Sequence, residues 1–122
     1  MALILIVDDD CHVRSSLENL LASAGYDTAG FDSARALLES DPILTGDCAI
    51  LDVRMKDMSG LELQQTLSAQ AWKTPIIFLT AHCDEETQVR AMKGGALAFL
   101  CKPFDEAELL GSIEAAVALA RG

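Results

Sequence analysis

The chain has 122 residues, 51% of them hydrophobic, which suits one domain with a core of its own and excludes a disordered segment. Its formal net charge of −10 excludes the basic surface on which nucleic-acid binding rests, so no direct contact with DNA or RNA is expected. No apolar run approaches the ~20 residues of a membrane span, and Met1 to Ile4 lacks the basic segment of a secretory signal, so the expectation is a cytoplasmic chain without membrane contact.

Leu3 to Val7 is wholly apolar, as a strand covered on both faces should be. Asp8-Asp9-Asp10 ends it, and Asp10 stands where a helix N-cap is needed. Val13, Leu17, Leu20, Leu21 and Ala24 then follow helical spacing until Gly25. Tyr26 to Phe31 reads as a weaker second strand. Ser33 caps a short helix carrying Ala34, Leu37 and Leu38, and Pro42 and Gly46 punctuate the loop after it. Asp47 to Leu51 is a third strand, followed by a loop and a third helix from Ser59 or Gly60 with Leu61, Leu63 and Leu67. Ile76 to Leu79 is a fourth strand ending at Thr80. Asp84 or Glu85 opens a helix with a thin apolar side, stopped by Gly94-Gly95. Leu97 to Cys101 is a fifth strand ending at Lys102-Pro103. Asp105 caps a last helix with Leu109, Leu110, Ile113, Val117 and Ala120 turned inward.

Five strands alternating with five helices predict an α/β fold, a doubly wound parallel sheet with helices on both faces. All strand ends then point one way, and ligands collect at their carboxyl ends. Asp8, Asp9, Asp52, Thr80 and Lys102 each stand at such an end, so they are expected to meet. Asp10 is read as a cap and Asp57 as turn chemistry. Three converging carboxylates repel unless a hard cation joins them, and Mg²⁺ favours such oxygens. With Lys102 and the Thr80 hydroxyl nearby, Asp52 is placed to attack phosphorus and hold an aspartyl-phosphate.

Of the four cysteines, Cys48 and Cys101 lie in apolar strand runs and are expected in the core. The alternative, Cys11-His12 and His82-Cys83 converging on a soft metal, needs four loop ligands to meet. A Mg²⁺-dependent phosphatase is the rival from another class. It lacks support because no Asp-x-Asp surrounds Asp52 and the loops are too short for a substrate cap.

The run Ile4 to Asp10, the segment Asp52-Val53-Arg54-Met55-Lys56-Asp57-Met58-Ser59-Gly60, Leu79-Thr80-Ala81 and Phe99-Leu100-Cys101-Lys102-Pro103-Phe104 together resemble the receiver domain of two-component response regulators. The wording of the second and fourth segments is similar to the FixJ-like subfamily. The resemblance covers residues 1–122 as one receiver domain and implies a flavodoxin-like sheet in the order 2-1-3-4-5.

The resemblance implies that Asp52 accepts a phosphoryl group from a sensor histidine kinase. It implies Mg²⁺ held by Asp9, Asp52 and the Arg54 backbone carbonyl, with Asp8 acting largely through water. Thr80 and Lys102 would contact the phosphoryl group, Phe99 would be a rotamer switch, and the peptide between Lys102 and Pro103 would be cis. Such a chain is not an enzyme beyond promoting its own phosphotransfer and autodephosphorylation. The implied partners are the kinase, a second copy through the face of the fourth helix, fifth strand and fifth helix, and a C-terminal DNA-binding domain regulating transcription. Lys56 stands where the family commonly has Pro, Phe99 replaces a Tyr found in some members, and Arg54 and His82 occupy positions that tune phosphate lifetime.

Overall fold

Residues 2–40, 46–70 and 72–121 are described by a computed structural model; the turn expected at Pro42 lies outside them. Five strands, β1 (Leu3–Val7), β2 (Asp27–Phe31), β3 (Cys48–Leu51), β4 (Ile76–Thr80) and β5 (Ala98–Cys101), alternate with five helices. These are α1 (Cys11–Ser23), α2 (Ala34–Leu38), α3 (Gly60–Ala69), α4 (Glu85–Lys93) and α5 (Glu106–Arg121). The strands form one parallel sheet in the order β2-β1-β3-β4-β5. The parallel sheet with helices on both faces is what the alternation predicts, and its strand order is the flavodoxin-like one that the resemblance implies.

The period-2 geometry of a strand sorts the apolar runs onto two faces. Leu5, Val7, Ala49, Leu51, Ile76 and Phe78 pack with Ala34 and Leu37 of α2, Leu63 and Leu67 of α3 and Ala91 of α4. Ile4, Ile6, Cys48, Ile50, Ile77 and Leu79 face the other way, onto Leu17 and Leu21 of α1 and Leu109, Ile113 and Ala116 of α5. On α5 the inward position in the last turns is Ala116, and the expected Ala120 is exposed. Cys48 is fully buried, as expected, and burial pushes its thiol up to about 12, with Asp47 adding to the effect.

Helix starts follow the chemistry of their caps. Asp10 accepts from the His12 and Val13 amides, and those bonds hold its carboxyl below the usual value. Ser59 and Glu62 form a reciprocal capping box at α3. Asp84 accepts from the Thr87 amide, which lowers its carboxyl as well. Glycines in the left-handed region, Gly25 and Gly95, follow α1 and α4 as expected.

Candidate functional site

Register brings the acids together. Val7 pairs with Leu51, so Asp8 and Asp52 each leave the sheet one residue beyond the same rung. The Asp52 amide donates to the Val7 carbonyl at 3.0 Å, and the Asp8 amide to the Phe31 carbonyl at 3.1 Å. Asp8 and Asp52 are buried and Asp9 half-buried, and each offers a carboxylate oxygen within 4.8 Å of the others. Lys102, at the end of β5, closes the group: its Nζ lies 2.8 Å from Asp8 Oδ2 and 3.4 Å from Asp52 Oδ2. Burial alone would lower the Lys102 ammonium. The bond to Asp8 and the charges of Asp52 and Asp8 outweigh that and raise it.

The two buried acids are not equivalent. Asp8 Oδ1 accepts from the Asp10 amide at 2.9 Å, and the Asp8 carbonyl accepts from Arg14 Nη1 at 2.6 Å. Asp52 Oδ1 is buried and accepts a hydrogen bond from none of the described residues. A buried carboxylate oxygen without a partner is costly, so a site that keeps one is built for a ligand. All donors here are oxygens, and such a hard set fits Mg²⁺ rather than a soft metal.

Thr80 is fully buried at the end of β4, and its Oγ1 accepts from the His82 amide at 3.0 Å, which leaves the hydroxyl proton to donate elsewhere. Its carbonyl accepts from the Lys102 amide at 2.9 Å, so the backbones of Thr80 and Lys102 are joined directly. Arg54 turns its side chain to solvent. Phe99 is half-buried against Phe78, ring centroids 6.1 Å apart, on the face shared with α4. The Lys102–Pro103 peptide is cis. Asp8, Asp9, Asp52 and Lys102 thus form one cluster, Thr80 borders it through Lys102, and Phe99 lies back from it in the core.

The loop after Asp52 is held at both ends. The Gly60 amide donates to the Val53 carbonyl at 2.7 Å, and a Cβ on Gly60 would run into the Asp52 carbonyl oxygen. Only glycine lets α3 begin this close to the acid.

One expectation is extended and one corrected. Asp57 has local backbone partners, Met58 among them, as a turn residue does, but its carboxylate also accepts from the Ala34 amide at 3.3 Å and the Arg35 amide at 2.8 Å. It therefore caps α2 from the loop between β3 and α3. Cys101 is not in the core: it is exposed and joined to Cys83 by a disulfide, their Cα atoms 5.9 Å apart. Cys101 is the last residue of an edge strand, which the apolar run alone does not reveal. That pairing also removes Cys83 from any shared soft-metal site with Cys11, which is free and exposed. The available signal was positional: Cys83 follows Thr80 by three residues and Cys101 precedes Lys102, so both cysteines flank residues already expected to meet.

A family model described as the response regulator receiver domain matches residues 4–114. The chain is 46% identical over 118 residues to the transcriptional regulatory protein TdiR of Thauera aromatica, covering 97% of this chain and 52% of that protein. It is 43% identical over 114 residues to the transcriptional regulatory protein FixJ of Bradyrhizobium diazoefficiens, covering 93% and 56%. The structure of the response regulator StyR superposes with a TM-score of 0.91 at 47% identity, over 98% of this chain and 61% of that one. The chain therefore spans about half the length of the relatives it matches.

Proposed function

The chain belongs to the response regulator receiver domain family, FixJ-like in character, and from that premise we propose that Asp52 is its phosphoacceptor, with Asp8, Asp9, Thr80 and Lys102 as the supporting site. The observation that carries this reading is the buried Oδ1 of Asp52, without a hydrogen-bond partner among the described residues, set among two further acids and one ammonium.

One Asp52 oxygen attacks the phosphorus of a phosphohistidine on a sensor kinase. The P–N bond breaks, and its electron pair leaves with the imidazole. Lys102 stands between Asp8 and Asp52, where its ammonium can turn from the carboxylates to the incoming phosphoryl oxygens. Thr80 donates its hydroxyl proton to another phosphoryl oxygen. Asp9, Asp52 and the Arg54 backbone carbonyl would hold Mg²⁺, with Asp8 acting through water, and the cation would supply positive charge against phosphoryl oxygens and carboxylates alike. Phosphorylation then biases the segment from Thr80 through α4 to Phe99.

Receiver domains are not classical enzymes; the proposed chemistry is limited to the chain's own phosphorylation and autodephosphorylation, with Arg54 and His82 tuning the lifetime of the phosphate. A C-terminal DNA-binding domain under the control of this receiver is proposed, as in a transcriptional regulator acting in the cytoplasm. No described helix is long and apolar enough to cross a membrane.

Incubation with acetyl phosphate and Mg²⁺, followed by intact mass measurement, tests the assignment. One phosphoryl adduct on the wild type, absent from Asp52→Ala, is the expected result. Turnover of phosphomonoesters without an Asp52 adduct would overturn it.

A further inference from the structure

The Cys83–Cys101 disulfide has no part in phosphoryl transfer, yet it sits between two residues of the proposed site. Cys101 is the strand partner of Thr80 and the neighbour of Lys102. Cys83 lies in the loop that begins at Thr80, its sulfur 3.2 Å from the Thr80 carbonyl oxygen. Both cysteines are exposed, so oxidants and reductants can reach them. The other two are unlike this pair: Cys48 is buried and Cys11 lies in the first turn of α1.

The bridge spans 18 residues of sequence, and α4 lies entirely within them. Non-covalent packing holds α4 weakly, with Ala91 its one buried residue. Gln64 Nε2 donates to the Ala91 carbonyl at 2.9 Å, which fastens the C-terminal part of the helix to α3. The sulfur bridge fastens the N-terminal end to β5. With both ends tied, the loop beyond Thr80 has little freedom to move.

We propose that Cys83 and Cys101 are a reversible redox modification site, in which oxidation by a hydroperoxide clamps the loop after Thr80 and α4 onto β5, and reduction frees them to answer phosphorylation. One thiolate attacks the peroxide, the O–O bond breaks, and a sulfenic acid forms as the first hydroxide or alkoxide leaves and takes a proton. The second thiol attacks that sulfur, the S–S bond forms, and water leaves. The two thiols lose two electrons and the peroxide gains them. A dithiol reductant reverses the change by exchange. Disulfides in reducing compartments are usually transient and regulatory, which suits a pair at a moving element. The clamp stands on geometry; its effect on signalling rests on Asp52 being the phosphoacceptor.

Two measurements on the wild type and a Cys83→Ser/Cys101→Ser variant separate these claims. After hydrogen peroxide or dithiothreitol, alkylation and peptide mapping report the bridge, and amide exchange reports the mobility of residues 81–93. Peroxide is expected to form the 83–101 bridge and slow exchange in α4 by about tenfold in the wild type, with no change in the variant. Absence of the bridge, or equal exchange in both redox states, overturns the clamp. In the second arm, phosphorylation by acetyl phosphate with Mg²⁺ should fall by about tenfold in oxidised wild type and remain unchanged in the variant. Equal phosphorylation of both redox states overturns the signalling effect. Failure of the reduced wild type to phosphorylate rejects the Asp52 assignment instead, while the exchange data still decide the clamp.

Discussion

Asp52 holds two oxygens in unlike surroundings. Oδ2 shares Lys102 with Asp8 at the longer of the two distances, 3.4 Å against 2.8 Å, and Oδ1 has no partner among the described residues. Removing its charge leaves Lys102 on Asp8 and relieves the repulsion among three close acids. Asp52→Asn is therefore expected to stabilise the metal-free chain by about 1 kcal/mol, or a few degrees in Tm. Added Mg²⁺ should raise the wild-type Tm by mass action and raise the variant's less. Melts in EDTA and over a Mg²⁺ series check both statements; a lower Tm for Asp52→Asn in EDTA would show that the Lys102 contact outweighs the repulsion. Gly60 meets the same acid from the backbone side. A methyl group there collides with the Asp52 carbonyl oxygen, a backbone atom that cannot yield as the end of a flexible side chain would. Gly60→Ala should cost about 1–3 kcal/mol by overpacking and reduce Asp52 phosphorylation with it. Equal stability in urea unfolding would mean that α3 can shift away from β3 without cost.

The elements are joined across the sheet end by contacts that local sequence does not announce. α2 has two buried side chains, Ala34 and Leu37, and its first amides are satisfied by Asp57 and Ser33. Asp57→Ala should therefore loosen α2, at about 1 kcal/mol or somewhat less, since the cap faces solvent. The Arg35 amide is the main cause that holds the Asp57 carboxyl below its ordinary value, so its contribution is present above the unfolded value of about 4 and is lost as pH falls through the lower folded value. Chemical unfolding of wild type and Asp57→Ala should differ at pH 7 and converge in acid. A constant difference across that range would mean that the charge plays no part in the cap. This contact also marks what the sequence could and could not convey. The strands, the caps at Asp10, Ser33 and Asp105, the starts of α3 and α4 to within a residue, and the meeting of Asp8, Asp9, Asp52 and Lys102 follow from cap chemistry, periodicity and the rule that parallel strands end together. Asp57 is separated from Ala34 by 23 residues, and its target depends on the path of a loop, which no period encodes. The same holds for Cys101, whose apolar neighbours suggest the core while its place at the end of an edge strand exposes it.

At the scale of the molecule, the sheet distributes its exposed apolar surface unevenly. Val89 and Met92 of α4 are 42% and 43% exposed and Leu119 of α5 is 65% exposed, and these are the large exposed hydrophobics among the described residues. They lie on the two helices flanking β5, the edge strand next to Thr80 and Phe99. α4 carries Glu85 and Glu86 in its first turn and Arg90 and Lys93 in its last. A two-fold pairing that sets two α4 helices antiparallel would place opposite charges together and bury Val89 and Met92 on both sides, as an isologous interface requires. It would do so despite the net charge of −10, which otherwise keeps copies apart. Beryllofluoride with Mg²⁺ should shift the chain toward a dimer in sedimentation. Val89→Asp with Met92→Asp should weaken that dimer about tenfold or more, because each apolar side chain left exposed forfeits about 1–2 kcal/mol of burial. The same variant should still take up phosphate on Asp52, since neither residue belongs to the acid cluster. An unchanged monomer for activated wild type at high concentration would assign these side chains to a different partner, and a dimer indifferent to the double substitution would move the interface away from α4.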